Sequence, residues 1–212
     1  MQEDPGRRLV EIADELRGVA QNGLFWTERT HDEYGLARYE KAMELAAQIL
    51  SLADNRGAEE IERIFRGELG IRSPFVGVTA ALFDEEGRIL LTQRKDNRKW
   101  CMPGGLADVG EPPSKVAVRE TWEETGLRVK PVKLIGVFDS RKSGSLVPVH
   151  LYHLDFLCQK VGGQLTLTNE TIDYGYFEEE KIASLDMHGS HAHRVPHAFQ
   201  AHRTDTWEAL FQ

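Results

Sequence analysis

The chain has 212 residues, and its 26 Lys and Arg against 34 Asp and Glu give a formal net charge of −8. With 41% hydrophobic and 28% charged residues, the composition is that of a globular protein and excludes a disordered or fibrous chain. The acidic balance argues against nucleic-acid binding, which needs concentrated positive charge, and no run approaches the ~18 apolar residues of a membrane span.

Residues 1–70 predict an N-terminal helical domain. Apolar residues at helical spacing from Leu9 to Ala20 predict a first helix that ends near Gly23, and a second helix is expected from about Asp32 to Asn55. Along the second helix, apolar residues alternate steps of three and four: Leu36, Tyr39, Met43, Ala46, Leu50 and Ala53. A shorter third helix carries Ile61, Ile64 and Phe65.

The apolar seam of the second helix has two interpretations. It could be buried against the core of the same chain, or it could form a homodimer interface. Three short helices alone make a small core, and two-fold symmetry is the commonest arrangement of oligomers, so we predict a homodimer formed through the N-terminal helices.

From residue 74 to 212 the pattern becomes that of an α+β domain. Predicted strands cover residues 75–83, 89–91, 132–138, 149–158 and 165–168, with a hairpin turn at 84–87 and a turn at Gly162 and Gly163. A helix is expected between Pro112 and Thr125, because proline is tolerated in a first helical turn and Gly126 follows as a stop. We therefore expect a mixed sheet with an embedded helix.

The embedded helix carries an unusual group of carboxylates. Glu120, Glu123 and Glu124 are spaced i, i+3 and i+4, so they are expected on one face, with Val118, Thr121 and Trp122 towards the sheet on the other. Three like charges so close repel one another unless a cation lies among them. Oxygen-rich clusters of this kind suit Mg²⁺ or Mn²⁺, whereas the alternative is a solvated acidic helix.

This stretch resembles the signature of the Nudix hydrolases. The pattern is Gly, five residues, Glu, seven residues, Arg-Glu, two residues, Glu-Glu, one residue, Gly and an apolar residue. Its fixed places are occupied by Gly105, Glu111, Arg119, Glu120, Glu123, Glu124, Gly126 and Leu127. The one departure is Thr121, where an aliphatic residue is usual, and the resemblance covers about residues 74–185.

The N-terminal residues 18–27, 38–40 and 45–47 are similar to the helical domain of one Nudix subgroup. That subgroup hydrolyses nucleoside diphosphates linked to another group X, typically ADP-ribose and CDP-choline. The resemblance implies an α/β/α sandwich with a mixed sheet, a nucleotide substrate, and the products AMP and ribose 5-phosphate from ADP-ribose.

The resemblance also implies roles for individual residues. Glu120 and Glu124 would be the principal ligands of Mg²⁺ or Mn²⁺, with Glu123 and the Gly104 carbonyl contributing. Four further residues of the signature would be structural: Gly105, Glu111, Arg119 and Gly126. Enzymes of the family take their general base either from this helix or from a later loop. We expect Glu170 to be the candidate in the loop, and its alternative is an ordinary solvated glutamate.

Weaker candidates lie outside the signature. Trp26 could stack on a nucleobase and Arg141 could meet a substrate phosphate, although packing and surface exposure are the simpler interpretations. Five histidines cluster near the C-terminus, and we expect no metal site there, because Pro196 interrupts the His193 and His197 pair: His188, His191, His193, His197 and His202. We assign no residue to an organic cofactor.

Two cysteines are too few for a disulfide framework, and the N-terminal residues lack the apolar stretch of a signal peptide. These features predict a cytoplasmic protein in which Cys101 and Cys158 are buried, inert thiols.

The alternatives to ADP-ribose are CDP-choline, a sugar nucleotide, a dinucleotide or a damaged nucleoside triphosphate. From another class, the alternative is a ligand-sensing regulator built on a Nudix domain. Such regulators often lose carboxylates of the signature, whereas all of them are present here.

Overall fold

A computed structural model describes residues 4–30, 33–68, 70, 72–108, 110–142 and 150–212. The chain divides into two compact units, Met1–Pro74 and Phe75–Gln212. The described helices are α1 (Pro5–Thr30), α2 (Glu33–Ser51), α3 (Ala58–Gly67), α4 (Pro113–Thr125), α5 (Glu179–Ile182) and α6 (His191–Arg203). The described strands are β1 (Phe75–Leu82), β2 (Ile89–Arg94), β3 (Trp100–Cys101), β4 (Gly104–Leu106), β5 (Leu127–Asp139), β6 (Leu151–Gly163), β7 (Thr171–Phe177) and β8 (Leu210–Phe211).

The first unit consists of α1, α2 and α3 around a small apolar core. Its fully buried side chains come from all three helices: Ala20, Met43, Ala46, Ala47, Ile61 and Phe65. The prediction that α1 ends near Gly23 is wrong, because α1 continues to Thr30. A Cβ atom at Gly23 would collide with the ring of Tyr39 in α2. This glycine therefore allows two helices to pack closely and does not stop the first one.

The second helix is shorter than predicted and only part of its seam is buried. It ends at Ser51, four residues before the expected Asn55, and Asp32 lies outside the described residues. Met43 is buried in the core of the unit, whereas Leu36 lies on the surface. Leu45, on the same helix, is 41% exposed, so apolar area remains on the outside of the unit.

The second unit contains two sheets. The larger has the order β4-β1-β6-β5-β8, with β1 parallel to β6, β5 parallel to β8 and the other pairs antiparallel. The smaller is antiparallel, in the order β3-β2-β7. The sequence predicts one mixed sheet in which β1 and β2 form a hairpin. The predicted turn is present, with the Asp84 N–H donating to the Arg88 carbonyl over 3.0 Å, but the two strands pair only at the Phe83–Ile89 bridge beside it, and β2 belongs to the second sheet.

The sheets carry a helix on each face. Alternate residues of β1 and β2 face opposite sides, as the two-residue period of a strand requires. Val78, Ala80 and Leu90 belong to the core under α4, whereas Ala81 and Leu91 belong to the core under α6. The two helices are thus held on opposite faces by separate apolar clusters, and this is the α/β/α layering expected above.

One predicted strand is absent, and β7 is among the strands that the sequence did not predict. Residues 164–170 form no strand; they run along the end of α4, where the Thr166 N–H donates to the Thr125 carbonyl over 3.0 Å. The strand that pairs with β2 is β7, which begins at Thr171. The alternation of apolar residues at 165–168 therefore reflects packing of a loop, since Leu165 lies against the core beneath α4.

The last helix, α6, passes through Pro196. The sequence-based expectation that this proline interrupts the His193 and His197 pair is wrong, since both residues lie on one continuous helix with ring centroids 5.6 Å apart. A proline inside a helix removes one backbone hydrogen bond. Here, burial of Val195 and Phe199 against the sheet favours the helix regardless.

None of the described helices has both the length and the apolar character that a membrane-spanning segment needs.

Candidate active site

The carboxylate-bearing helix α4 begins and ends where the sequence predicts. Pro112 precedes it in an extended conformation and Pro113 opens its first turn. At the other end, Gly126 adopts φ 73°, and its N–H donates to the Trp122 carbonyl over 2.8 Å. Helices commonly end at a glycine in the left-handed conformation. The 13 residues of α4 are therefore bounded by the proline pair at its start and by Gly126 at its end.

The faces of α4 differ from the predicted arrangement. Trp122 was expected to face the sheet, but its side chain is 55% exposed. Ala117, Thr121 and Glu124 are buried together, since residues i, i+4 and i+7 share a face. The third carboxylate of the group is therefore not on the solvent side of the helix but on its packed side.

A single guanidinium organises the other carboxylates. The Arg119 Nε and Nη2 atoms donate to both carboxylate oxygens of Glu111 over 2.9–3.2 Å. Its Nη1 donates to Glu120 over 2.7 Å and to Glu123 over 3.0 Å, and Nη2 also reaches the Leu106 carbonyl over 3.2 Å. The acidic neighbours raise the pKa of Arg119, led by its hydrogen bonds to Glu111. Arg119 thus ties the loop that precedes α4 to the helix itself.

Glu124 lies in a different environment. Its side chain is 6% exposed, and one carboxylate oxygen accepts a hydrogen bond from the Gly104 N–H over 3.1 Å. Burial raises its pKa to about 8; the Gly104 hydrogen bond opposes this shift, and the negative charges of Glu120 and Glu170 add to it. Burial likewise raises the pKa of Glu120. Carboxylates held close together in a buried site are destabilised when charged, and a cation among them would relieve this.

Two glycines of β4 allow this close approach. A Cβ atom at Gly104 would collide with the Val78 carbonyl of β1, and one at Gly105 would collide with the carboxyl group of Glu120. The backbone of β4 and the carboxylates of α4 can lie side by side only because these positions have no side chain.

Glu124 opens into a cavity of about 430 Å³, which we call the carboxylate cavity. It is lined by Arg94, Lys95, Asp96, Glu124, Asn169, Glu170 and Thr171. Glu170 is exposed, and its backbone carbonyl accepts a hydrogen bond from the Lys95 N–H over 2.9 Å. The late loop glutamate that the sequence singles out therefore shares a cavity with the buried glutamate of α4.

A second cavity of about 410 Å³ lies against the face that α6 covers, and we call it the histidine cavity. Its walls include Gly104 and Gly105 of β4 together with the imidazoles of His153, His188 and His191. Arg94 lines both cavities. The two cavities therefore share one lining residue, Arg94, and Gly104 of the histidine cavity is hydrogen-bonded to Glu124 of the carboxylate cavity.

Arg141 and Trp26, the weaker candidates of the sequence, line neither cavity. Arg141 follows β5, where its N–H donates to Asp139 over 2.9 Å. Trp26 belongs to the N-terminal unit, is more than half exposed, and meets Phe25 edge to face at a centroid distance of 5.3 Å. Cys101 and Cys158 are buried free thiols, as predicted, and burial raises the pKa of Cys101 to about 11 and that of Cys158 to about 12.

Several cavity residues were missed at the level of sequence. His188 and His191 were grouped with the C-terminal histidines, and these two line the histidine cavity, whereas the other three do not. Arg94, at the end of β2, and His153, near the start of β6, carried no motif. The run Arg94-Lys95-Asp96 directly after an apolar strand was the one available signal, since loops after strands often carry functional side chains.

The chemistry of the side chains around α4 indicates which metal ion they could bind. Across the part of the chain that the structure describes, no group of three or more His, Cys, Asp or Glu side chains is arranged to hold one. Glu120 and Glu123 are instead hydrogen-bonded to Arg119, whereas Glu124 and Glu170 face one cavity whose described lining contains no histidine or cysteine. Oxygen donors and a destabilised buried carboxylate fit a hard divalent cation, and softer metals would require sulfur or nitrogen donors.

Comparison with known protein families identifies the domain that carries this site. Residues 73–198 match the family model described as the NUDIX domain. The chain belongs to the Nudix family. The match covers α4, the β4 loop and both cavities of the Nudix domain. Residues 7–65 match a second model, described as a UDP-X-like, N-terminal oligomerisation domain.

Individual relatives agree with this assignment. The chain is 33% identical over 179 residues to YjhB of Bacillus subtilis (strain 168), provisionally named an ADP-ribose pyrophosphatase, and the match covers 84% of each protein. The crystal structure of an ADP-ribose pyrophosphatase from Streptococcus suis 89-1591 matches with a TM-score of 0.57 and 28% identity, over 66% of this chain and all of that one. The crystal structure of a UDP-X diphosphatase shares the fold over 98% of this chain and 99% of that one, with a TM-score of 0.59 and 22% identity.

Proposed function

We propose that this Nudix hydrolase cleaves the pyrophosphate bond of a nucleoside diphosphate linked to X, with ADP-ribose as the first candidate. The observation that carries the proposal is the position of Glu124. Its carboxylate is buried against the Gly104 N–H and opens, with Glu170, into a cavity bounded by the basic side chains of Arg94 and Lys95. Carboxylates and cations around one space suit a substrate with two phosphates.

We assign the metal site to Glu120, Glu123 and Glu124, with the Gly104 carbonyl as a further oxygen donor. Mg²⁺ or Mn²⁺ bound there would neutralise the pyrophosphate and lower the pKa of a water molecule. Arg119 is assigned a positioning role. Its bidentate bond to Glu111 and its bonds to Glu120 and Glu123 fix the loop before α4 relative to the helix. Gly105 is assigned a structural role because it leaves room for the carboxyl group of Glu120. Gly126 is assigned one because its left-handed conformation ends α4.

The remaining groups of the carboxylate cavity supply charge and proton transfer. Arg94 and Lys95 are positioned to bind phosphate oxygens, since a guanidinium and an ammonium both donate to phosphate. Glu170 is exposed at the edge of the cavity, where a carboxylate can accept the proton of an attacking water. The bond between one phosphorus and the bridging oxygen breaks, water supplies the new oxygen, and ADP-ribose yields AMP and ribose 5-phosphate.

ADP-ribose leads because two of the three relatives named above carry that activity in their names, whereas CDP-choline, sugar nucleotides and dinucleotides remain alternatives. The decisive experiment is hydrolysis of a panel containing ADP-ribose, CDP-choline, a sugar nucleotide, a dinucleotide and a nucleoside triphosphate. We expect AMP from ADP-ribose with Mg²⁺ or Mn²⁺, loss of activity with a chelator, and recovery when the metal is returned. The products are separated by chromatography.

No hydrolysis of any panel member with either metal, from protein shown to be folded by circular dichroism, would overturn the proposal. Activity that survives exhaustive chelation would overturn the metal dependence alone. Release of CMP from CDP-choline in place of AMP from ADP-ribose would keep the reaction and change the substrate.

The N-terminal unit is proposed to form a homodimer. Its helices leave apolar side chains at the surface, among them Leu45, and they match an oligomerisation domain. We expect sedimentation velocity to give twice the 24.0 kDa of one chain, and Leu45→Glu to shift the protein towards monomer. The matched control is Leu167→Glu, at an exposed leucine of the Nudix domain, which should leave the dimer intact. A monomeric wild-type protein would contradict the proposal.

The proposed location is the cytoplasm, where a reducing environment suits two free cysteines.

A further inference from the structure

The histidine cavity has an unusual set of polar groups. None of the described residues that line it is an aspartate, glutamate, asparagine or glutamine. Its charged side chains are Arg94 and Arg194, and its other ionisable groups are three imidazoles and the Cys101 thiol. The side chains that could accept a hydrogen bond are therefore few, and the character of the cavity depends on which edge of each imidazole carries the proton.

Two of the imidazoles are oriented by their neighbours. The Met102 N–H donates to Nδ1 of His191 over 3.2 Å, and the side-chain amide of Asn97 donates to Nδ1 of His188 over 3.0 Å. Burial, together with the nearby guanidinium groups, lowers the pKa of both histidines, which favours the neutral ring that an accepting Nδ1 requires. A neutral imidazole whose Nδ1 accepts carries its proton on Nε2. Both rings therefore present an N–H donor on their other edge.

Arg194 supplies a third donor. Its side chain is 0% exposed, with Nε bonded to the Ser190 hydroxyl over 3.0 Å and Nη1 bonded to the Thr79 hydroxyl over 3.1 Å and to Asp155. The Nη2 atom is buried and has no partner in the part of the chain that the structure describes. A buried donor without an acceptor is costly, so a partner for Nη2 would be stabilising.

Only the positively charged member of the Arg194 and Asp155 ion pair lines the cavity. Arg194 contributes to the cavity wall, whereas Asp155, on β6, does not. Both side chains are fully buried, so their interaction is weakly screened. The positive end of the pair therefore faces the space. Arg94 lines the same cavity, but its guanidinium is paired with Asp96, so Arg194 is the cation of the wall whose carboxylate partner lies outside it.

We propose that the histidine cavity selects a substrate group that is rich in hydrogen-bond acceptors and not positively charged, and that Arg194 is the residue that determines this specificity. An acceptor on that group would take the free N–H of Nη2, and its further acceptors would meet the Nε2–H of His188 and His191. A quaternary ammonium, as in choline, would be rejected because it offers no acceptor and its charge is unpaired. The inference rests on the proposed function, since it takes the substrate to be a nucleoside diphosphate linked to X.

Two parts of such a substrate could supply the acceptors: a hydroxyl-rich X, or a base whose carbonyl replaces an amino group. Two matched pairs of ligands distinguish them. CDP-glycerol and CDP-choline share the base and differ in X, whereas UDP-glucose and CDP-glucose share X and differ by a carbonyl against an amine. Dissociation constants are measured by calorimetry in EDTA, where the metal-dependent hydrolysis does not proceed.

We expect the wild-type protein to bind the acceptor-rich member of at least one pair about tenfold or more tightly, because a buried unmet hydrogen bond costs about that much. Arg194→Met should reduce the preference to within about twofold. Since Arg194→Met leaves Asp155 buried without its partner, the double variant Arg194→Met with Asp155→Asn removes both charges and should lose the preference too. Arg203→Met is the matched control: Arg203 lies on the same helix, is exposed, and pairs with Glu179.

The control should keep the wild-type ratio. Three outcomes would each overturn the proposal. The affinities could be equal within both pairs, none of the four ligands could bind measurably, or a folded protein without Arg194 could keep the wild-type affinity ratio. Because these affinities are measured without turnover, an inactive protein that still discriminates would contradict the hydrolase proposal and leave this inference standing.

Discussion

Replacing Glu124 with glutamine is expected to lower kcat/KM by about a thousandfold while leaving the protein folded. The substitution keeps the size of the side chain and its oxygen acceptor for the Gly104 N–H, so the packing between α4 and β4 survives. It removes the negative charge that we assign to the metal. A thousandfold loss corresponds to about 4 kcal/mol of transition-state stabilisation, which is within the several kcal/mol that a metal ion contributes.

The measurement is steady-state hydrolysis of the best substrate of the panel, with circular dichroism and the thermal midpoint recorded on the same samples. Glu180→Gln is the matched control, because Glu180 is exposed and lines neither cavity. It should retain wild-type turnover. If Glu124→Gln were to lose less than tenfold, Glu124 would not be a principal ligand, and a protein that only senses its ligand would become the better interpretation.

Replacing Gly105 with alanine is expected to reduce turnover by about a hundredfold, although the glycine contributes no functional group. The added methyl group would overlap the carboxyl group of Glu120, so that carboxyl group or β4 must move. A displacement of about 1 Å within a catalytic site can cost this much. Because Glu120 is also bonded to Arg119, the movement would disturb the whole carboxylate group.

Gly162→Ala provides the control for replacing a glycine in this domain. A Cβ atom at Gly162 meets nothing within 4 Å, so this variant should keep its activity and stability. Initial rates across a range of Mg²⁺ concentrations separate the possible effects. We expect Gly105→Ala to need more metal for half-maximal rate, and a variant with wild-type metal dependence and wild-type rate would contradict the assigned role of this glycine.

The N-terminal helices show which features of a helix its apolar periodicity can predict. Their existence follows from apolar spacing, but the end of α1 does not, because glycine is ambiguous in a sequence. Gly126 has a positive φ and closes α4, whereas Gly23 lies inside α1 and makes room for Tyr39. The two glycines differ in what packs against them, and that contact is between residues distant in the chain.

The strands show the same limit. Local apolar runs predict β1, β2, β5 and β6, since these segments are buried and rich in β-branched residues. The run at 165–168 has a similar composition and is a loop, whereas β7 follows it. Which run becomes a strand depends on whether an edge of the sheet is available to pair with it, and β2 offers its edge to residues 171–177.

The carboxylate group could be found from the sequence, and the histidine cavity could not. Glu111, Arg119, Glu120 and Glu124 lie within one loop and one helix, so short-range spacing is enough to relate them. Arg94, His153 and Arg194 come from β2, β6 and α6, and nothing in their sequence neighbourhoods links them. Their proximity follows from the parallel pairing of β1 with β6 and from the packing of α6 over that face.

The sequence by itself therefore determined the helical N-terminal segment, the α+β character of the rest, and the family signature with its carboxylates. These features depend on residues close in the chain, whose geometry is set by helical and strand periods. Only the tertiary structure decided that Glu124 is buried and Trp122 exposed, that Glu170 shares its cavity, and that Arg194 has a free donor beside a cavity without carboxylates. Burial and pairing are set by which distant segments pack together, and that information is not local.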